Sequence, residues 1–235
     1  MFFPRLVDLH NHTVWSDGIN SPEELVEDYI MKKIKVIGIT DHLSVSEGFS
    51  IKLNQLGLYI EQINKLKFKY KDSIEILVGA EIPFTLIINN KLSYNDVNNL
   101  DYVLVENLEY MSDRIKLRYI EKELKKIKCK IGLAHTDLIH LATKHKLEGG
   151  LDYVLNFLKD NNIFWEINSN IAYECFDDII YDNDKKEIHI LIQKLISNNI
   201  KVTVGSDRHS IDDIQWGRFI KANEIADYIS LKQQS

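Results

Sequence analysis

The chain has 235 residues, of which 45% are hydrophobic and 27% charged, and this composition excludes a disordered, collagen-like or coiled-coil protein. The formal net charge of −6 disfavours a long nucleic acid as a partner, because such binding needs clustered lysine and arginine. No apolar run approaches the ~20 residues that span a bilayer, and no secretion signal is visible. Cys129 and Cys175 form no CxxC motif, so we expect a cytoplasmic protein. The chain length suits a single domain over residues 1–235.

Seven short apolar runs, several of them rich in β-branched residues, recur along the chain and predict buried strands. They lie at 6–9, 36–39, 74–78, 102–105, 131–134, 164–167 and 202–204. Such strands, separated by amphipathic stretches, predict a parallel sheet with right-handed crossovers. An open doubly wound sheet and a closed barrel both fit this count.

The stretches between the runs predict helices. The first begins with Ser21, Pro22 and Glu24, which form a capping box with proline at the first helical position. Further helices are expected over 55–70, 112–128, 149–161, 185–198 and 218–231. Residues 82–100 are less regular, and Asn89-Asn90 between two apolar pairs predicts a small hairpin over 85–92.

Polar side chains with metal-binding or acid–base chemistry follow nearly every predicted strand. They are His10 and His12, Asp41 and His42, Glu81, His135 and Asp137, Glu166 and Asn168, and Asp207, Arg208 and His209. In a βα barrel the carboxyl ends of the strands converge on one mouth, so these residues would meet in space. Their placement therefore favours the barrel.

The pair His10 and His12 carries the strongest local indication of a metal site. Residues two apart on a strand share a face, and two neighbouring imidazoles suit a transition-metal ion. Asp207 and His209 repeat this spacing. Glu81 lies between apolar residues, where it either forms a salt bridge or binds metal. Asp17 is either a metal ligand or a turn residue in an Asp-Gly pair.

The other charged residues are open to plainer interpretations. His140, His145 and His189 are predicted to be solvent-exposed. Arg208 lies between two candidate ligands, where it either binds an anion at the mouth or pairs with a nearby carboxylate.

These motifs resemble the polymerase-and-histidinol-phosphatase (PHP) superfamily, and the resemblance runs through nearly the whole chain in order. The motifs lie at 8–13 (DLHNHT), 16–18 (SDG), 21–26 (SPEELV), 39–42 (ITDH), 79–81 (GAE), 134–139 (AHTDLI), 166–168 (EIN) and 205–210 (GSDRHS). The segment Tyr59–Ile63, the AHTDLI motif and the pair Trp216-Gly217 look most like the histidinol-phosphatase branch. The resemblance implies a distorted, TIM-like (β/α)7 barrel that holds two or three divalent ions, zinc, manganese or iron, and hydrolyses phosphate esters.

The resemblance also implies a ligand set for each ion. The first ion would take His10, His12, Glu81 and Asp207; the second would share Glu81 and add His135; the third would take Asp17, His42 and His209. Where the family usually has a histidine just after the fourth strand, this chain has none. Glu106 or Glu109 would substitute as a harder oxygen donor that favours manganese or iron, or the second site would be weak.

The expected reaction is hydrolysis of a small phosphate monoester by a hydroxide that bridges the first two ions, with histidinol phosphate as first candidate substrate. Arg208 and the third ion would hold phosphate oxygens, Asp41 or Asp137 would orient a histidine or relay a proton, and Asn168 and Trp15 would contact substrate. Loops 43–55, 83–99 and 137–150 would set specificity. The alternatives are a nucleotide phosphatase or short-oligonucleotide exonuclease, and a non-catalytic metal-binding or regulatory module.

Overall fold

Seven parallel strands, hydrogen-bonded in chain order, form the centre of the computed structural model, which describes residues 6–44, 48–89, 91–110, 117–144, 149–182 and 184–234. The strands are β1 (Val7–Asp8), β2 (Val36–Ile39), β3 (Glu75–Pro83), β4 (Tyr102–Glu106), β5 (Lys130–Leu133), β6 (Ile163–Asn168) and β7 (Val202–Gly205). Each predicted strand is confirmed, with bounds that shift by a few residues.

Backbone hydrogen bonds also join the first strand to the last. The Leu9 N–H donates to the Val204 carbonyl at 2.8 Å, and the Asp207 N–H donates to the His10 carbonyl at 2.9 Å. These bonds bring the two edges of the sheet together in a nearly closed barrel. The predicted α/β class and TIM-like (β/α)7 barrel are therefore confirmed, and the open doubly wound alternative is wrong.

Helices surround the barrel and fill most of the connections between strands. They are α1 (Pro22–Met31), α2 (Leu56–Lys69), α3 (Phe84–Ile88), α4 (Tyr94–Val97), α5 (Leu117–Leu124), α6 (Leu138–Lys144), α7 (Gly150–Asp160), α8 (Asp177–Tyr181), α9 (Lys186–Ser197) and α10 (Trp216–Gln233). The capping box of α1 is confirmed, since the Glu24 N–H donates to Ser21 Oγ and the Ser21 N–H to Glu24 Oε2. Residues 112–116 of the helix predicted over 112–128 lie outside the described residues.

The strand β3 is longer than predicted, and its two halves pair with different neighbours. Residues 75–78 pair with β2, whereas residues 79–83 pair with β4. Glu81 therefore lies within a strand instead of after one. A polar residue after an apolar run predicted that the strand ends at Glu81, but the backbone continues to pair with β4 beyond it.

The predicted hairpin over 85–92 is wrong for the residues described. Residues 84–88 form α3, and the buried side chains are Phe84, Leu86 and Ile87. Burial of these apolar groups in the main core outweighs the strand preference of the β-branched residues. Asn90, the expected turn residue, lies outside the described part of the chain.

Two apolar layers support the barrel. The larger cluster lies between the sheet and its helices, and a small one joins Tyr102, Leu104 and Ala134, with Leu9 packed against it. The Tyr102 hydroxyl donates to the Leu9 carbonyl at 2.6 Å, from β4 to the residue after β1. A contact between strands so far apart in the barrel order crosses the interior, so the barrel is filled beneath its carboxyl-terminal mouth.

Among the helices of the described residues, none is both long and apolar enough to cross a lipid bilayer.

Candidate metal centre

The carboxyl ends of the strands bring eight of the nine predicted metal ligands into overlapping groups of donor atoms. The groups found among the described residues are His10, His12 and Asp207; His12, Asp17, His42 and His209; and His42, Glu81 and Glu106. His135, the ninth, contacts Glu81. Residues spread over 200 positions in sequence therefore meet at one mouth, as convergent strand ends require.

The inner cluster consists of His10, His12, Glu81 and Asp207, and all four residues are buried. His10 Nε2 lies 3.1 Å from His12 Nε2 and 3.3 Å from Glu81 Oε2. His12 Nε2 lies 3.4 Å from Glu81 Oε2 and 3.0 Å from Asp207 Oδ1. The distance from His10 Nε2 to Asp207 Oδ1 is 3.4 Å.

These separations fit a shared cation. Four donors placed tetrahedrally about 2.0 Å from a zinc-sized ion stand about 3.3 Å from one another. The five separations that involve His10 or His12, 3.0 to 3.4 Å, agree with that arrangement. Two carboxylates and two imidazoles buried this closely are also costly without a cation among them. The donor set therefore fits a divalent metal ion.

The outer cluster consists of Asp17, His42 and His209, joined by His12. Asp17 Oδ2 lies 3.5 Å from His42 Nε2 and 3.2 Å from His209 Nε2, and Asp17 Oδ1 lies 3.4 Å from His12 Nδ1. About a third of each side chain of Asp17, His42 and His209 is exposed. One carboxylate and three imidazoles fit a transition-metal ion that solvent can reach.

Glu81 stands between the two clusters. Its Oε2 faces the inner cluster and lies 3.1 Å from His42 Nδ1, and its Oε1 lies 2.9 Å from His135 Nε2. Glu106 Oε1 lies 4.0 Å from His42 Nδ1 and falls in the same donor group as Glu81. The structure thus places Glu106 beside His42. The resemblance instead implies that Glu106 would bind the second ion together with His135. Glu109 belongs to none of the donor groups of the described residues.

The electrostatics of the centre favour a positive charge beside its carboxylates. Burial disfavours protonated His10, yet the carboxylates of Glu166, Asp207 and Glu81 outweigh burial and raise the pKa of His10 well above its usual range. Burial opposes ionisation of Glu81, but the neighbouring His10 and His135 lower the pKa of Glu81 well below its ordinary value. Burial and the charge of Glu81 raise the pKa of Glu106. The site therefore concentrates negative charge that a metal ion would neutralise.

The backbone is strained where ligands are presented. His135 has φ 29°, Asp207 has φ 49°, and Asn107, directly after Glu106, has φ 65°. Non-glycine residues in this left-handed region cost of order 1–3 kcal/mol each and persist where surrounding contacts hold them. Two of these residues, His135 and Asp207, are candidate ligands, so backbone strain coincides with the presentation of donor atoms at the mouth.

Glu166 contacts the inner cluster from the barrel interior; the sequence named it among the strand-end polar residues but assigned it to no ion. Its Oε2 lies 2.9 Å from His10 Nδ1, and its Oε1 accepts the His135 N–H at 3.1 Å. The two-residue spacing of Glu166 and Asn168 in an apolar strand indicates two polar groups on one face, and this pattern could have identified both as interior residues.

Tyr173 lies beside the centre and also had no predicted role. Its ring stacks on His135 with a centroid separation of 4.3 Å and an interplanar angle of 9°. It comes from the loop after β6, where no sequence pattern indicates a contact with β5.

Asp41 and Asp137, predicted to orient a histidine or relay a proton, have backbone and hydroxyl groups as their partners. Asp41 is buried and accepts hydrogen bonds from the Thr13 N–H and hydroxyl and from Ser16 Oγ, so it fixes the loop between His12 and Asp17. Burial raises the pKa of Asp41. Asp137 Oδ1 accepts the N–H groups of Ile139 and His140 and caps α6. Asp41 is engaged by Thr13 and Ser16, and Asp137 by backbone through Oδ1, and among the described residues no hydrogen bond joins either carboxylate to a ligand imidazole.

Arg208 does not reach the mouth. Its guanidinium is 1% exposed, lies 3.9 Å from the Tyr29 ring centroid, and donates to Asp28 at 3.0 Å and to Asn11 at 3.2 Å. The expectation that Arg208 binds phosphate is therefore wrong, and the alternative of a carboxylate partner is confirmed. The ion pair anchors the loop that carries Asp207 and His209 to α1.

The two expected substrate contacts also have other partners. Asn168 is fully buried and donates to Glu166 Oε1 at 2.8 Å. The half-buried Trp15 donates from Nε1 to Gln62 and packs edge-on against Tyr59. Full burial disagrees with a substrate role for Asn168, whereas the substrate role of the half-buried Trp15 stays a prediction. His140 and His189 are exposed as predicted, and His145 lies outside the residues that the structure describes.

Comparisons with known proteins agree with this architecture. The chain is 25% identical to a histidinol-phosphatase of Lactococcus lactis over 233 residues, covering 87% of this chain and 84% of that protein. The solved histidinol phosphate phosphatase of Lactococcus lactis, in complex with zinc, L-histidinol and phosphate, shares the fold with a TM-score of 0.62 and 19% identity, covering 96% of this chain and 94% of the other.

A third relative is a longer protein. The chain is 24% identical to the DNA polymerase/3'-5' exonuclease PolX of Bacillus subtilis over 220 residues, or 89% of this chain, and spans only 36% of PolX. The sequence pattern of the PHP domain matches residues 8–183. This match covers most of the chain and includes the ends of the first six barrel strands, so the protein belongs to the PHP domain family.

Proposed function

We propose that this protein is a metal-dependent phosphomonoesterase that hydrolyses a small phosphate ester. The observation that carries the proposal is the inner cluster, in which the Nε2 atoms of His10 and His12 lie 3.1 Å apart and each lies 3.0 to 3.4 Å from carboxylate oxygens of both Glu81 and Asp207. A partly exposed second cluster shares His12 with it. Divalent ions in such a pair of sites generate a nucleophile at neutral pH and offset charge on phosphate oxygens.

The buried and the exposed ligands have different roles in the proposed reaction. The inner ligands exclude water from one side, because each is buried beneath the mouth. Substrate approaches from the side of Asp17, His42 and His209, where about a third of each side chain is open to solvent. Since Arg208 is engaged by Asp28, its loop supplies no guanidinium to the phosphate, and recognition of the phosphoryl group rests on the metal-binding clusters.

The cofactor is proposed to be two or three divalent ions. The inner cluster has two nitrogen and two oxygen donors, which suit zinc, and the Lactococcus lactis structure was solved with zinc. The group of His42, Glu81 and Glu106 offers two carboxylates and one imidazole. This harder donor set favours manganese or iron at that position.

Histidinol phosphate is the first candidate substrate. Support comes from the Lactococcus lactis histidinol-phosphatase, which aligns with this chain over most of both lengths. The second candidate is removal of a terminal nucleotide from a short oligonucleotide, favoured by the similarity to PolX. Both reactions would use the same two clusters and differ in the leaving group.

The test follows phosphate release from monoesters and nucleotide release from an oligonucleotide, by protein stripped of metal and reloaded with zinc, manganese or iron. The panel holds histidinol phosphate, mononucleotides, phosphotyrosine and a short oligonucleotide. We expect rapid release from one monoester only after metal is restored. Failure of every loaded form to turn over any ester, with ions bound, would overturn the proposal in favour of a non-catalytic metal-binding module.

A further inference from the structure

We infer that Glu166 is a positioning residue that holds ligands from two different strands, His10 and His135, in their metal-binding geometry. The inference rests on the proposed metal-binding role of those histidines. It assigns a function to a fully buried carboxylate that lies beneath the mouth.

The first contact sets the direction in which His10 presents its free nitrogen. Glu166 Oε2 lies 2.9 Å from His10 Nδ1, and both side chains are fully buried. A carboxylate accepts only, so it selects the tautomer with the proton on Nδ1 and leaves the lone pair on Nε2. His10 Nε2 is the atom that faces Glu81 and Asp207. Glu166 therefore aims His10 and increases its basicity as a ligand.

The second contact reaches the backbone of another ligand. Glu166 Oε1 accepts the His135 N–H at 3.1 Å, at a residue with φ 29°. The strained conformation needs such a restraint, and it turns His135 Nε2 to within 2.9 Å of Glu81 Oε1. One carboxylate thus holds ligands that contact opposite sides of Glu81.

The surroundings keep Glu166 in place. Asn168 Nδ2 donates to Oε1 at 2.8 Å and fixes the carboxylate plane. A methyl group on Gly205 would stand 2.4 Å from Glu166 Oε2 and 2.6 Å from His10 Cβ. The absence of a side chain at position 205 therefore leaves the space in which Glu166 and His10 meet.

The experiment titrates metal-stripped protein with cobalt(II) and follows visible absorption, which reports the ligand geometry without any need for turnover. The variants are Glu166→Gln, which keeps the shape and removes the charge, and Glu166→Ala, which removes both. We expect cobalt affinity to fall about 10-fold for Glu166→Gln and about 100-fold for Glu166→Ala, the range for loss of a carboxylate behind a ligating histidine. The absorption bands of the bound cobalt should shift in both.

Two further variants keep the inference testable if Glu166→Ala folds poorly. Gly205→Ala crowds the same contact without changing a charge and should also weaken cobalt binding and alter the spectrum. Glu187→Gln makes the matched change on the exposed surface of α9 and should alter neither.

Cobalt affinity and spectrum equal to wild type in folded Glu166→Gln and Gly205→Ala would overturn the inference. A fall in thermal stability of the metal-free protein with unchanged affinity would assign Glu166 a packing role only, and would equally overturn it. Wild-type protein that binds cobalt but hydrolyses no ester would refute the proposed function and leave the role of Glu166 intact.

Discussion

The inner and outer clusters use similar side chains in different surroundings. Side chains of the inner cluster are at most 7% exposed, whereas Asp17, His42 and His209 are each about a third exposed. The inner cluster is backed by Glu166, and the outer cluster includes Asp17, whose loop is held by Asp41. Buried donors that are already held in place bind an ion more tightly than solvated donors on loops, because binding costs them less conformational entropy.

The difference in exposure predicts different roles for the two clusters of one centre. The inner cluster would retain its ion, and the outer cluster would exchange its ion and admit substrate. His12 belongs to both, with Nε2 toward Asp207 and Nδ1 toward Asp17. Each prediction below separates the clusters or removes what they share.

The largest effect is expected from His12→Ala, because this residue serves both clusters. Phosphate release should fall at least about 10³-fold, the upper end of the cost of removing one charge-stabilising group. Metal content per protein should fall as well, while circular dichroism retains the barrel. His10→Ala should abolish metal-dependent turnover in the same way, and full activity in either variant would contradict the account.

Asp17→Asn should affect the outer cluster alone. We expect turnover to fall about 10²-fold, since a charged ligand is lost where substrate enters. Loss of one bound ion should accompany it, with the inner ion kept. Metal counting by mass spectrometry checks this, and an equal loss from both clusters would remove the distinction between them.

Glu106→His should change which ion is held and leave the number of ions unchanged. An imidazole in place of a carboxylate makes the group of His42, Glu81 and Glu106 softer and should shift its preference toward zinc over manganese, by about 10-fold. Competition between the two metals for stripped protein measures the ratio. Glu109→His is the matched control, because Glu109 is in no donor group of the described chain, and it should leave the ratio unchanged.

A pH dependence of metal binding is expected at His42. Burial disfavours its protonated form, but the hydrogen bond to Asp17 and the charge of Glu81 outweigh burial and raise its pKa to about 9 in metal-free protein. An ion at the outer cluster must displace this proton, so its affinity should rise about tenfold per pH unit up to about pH 9. Isothermal titration in buffers of different ionisation enthalpy would measure the released proton.

Stability of the metal-free protein should move in the opposite direction. A histidine with a raised pKa in the folded state stabilises fully below its ordinary value and loses that contribution as pH rises through about 9. The midpoint of thermal unfolding of metal-free protein should therefore fall between pH 6.5 and pH 9 from this group. His42→Gln should show a smaller change over the same window.

The barrel, and the meeting of the candidate ligands at one mouth, could be predicted from the sequence because both depend on local patterns. Paired residues such as His10 and His12 share a face by strand geometry, and the strand ends converge by topology. Glu81 was recognised as a candidate although β3 runs on past it to Pro83. Such predictions need no knowledge of which distant side chains meet.

The errors concern partners that are far apart in sequence. Arg208 pairs with Asp28, 180 positions away, and no periodicity indicates that α1 offers this carboxylate. Glu166 approaches His10 across 156 positions. Asp41 was given a chemical role, but backbone and hydroxyl donors of Thr13 and Ser16 engage its carboxylate, whereas the role of Asp137 stays a prediction.

The most direct test of the centre is anomalous diffraction from crystals of the protein grown with zinc and manganese, recorded at both absorption edges. The account predicts one peak enclosed by His10, His12, Glu81 and Asp207, and a second, weaker peak beside Asp17, His42 and His209. Signal at Glu106 should be stronger for manganese than for zinc. Ordered crystals with no anomalous peak at the inner cluster would contradict the account, because its four buried donors would then lack the ion that their geometry fits.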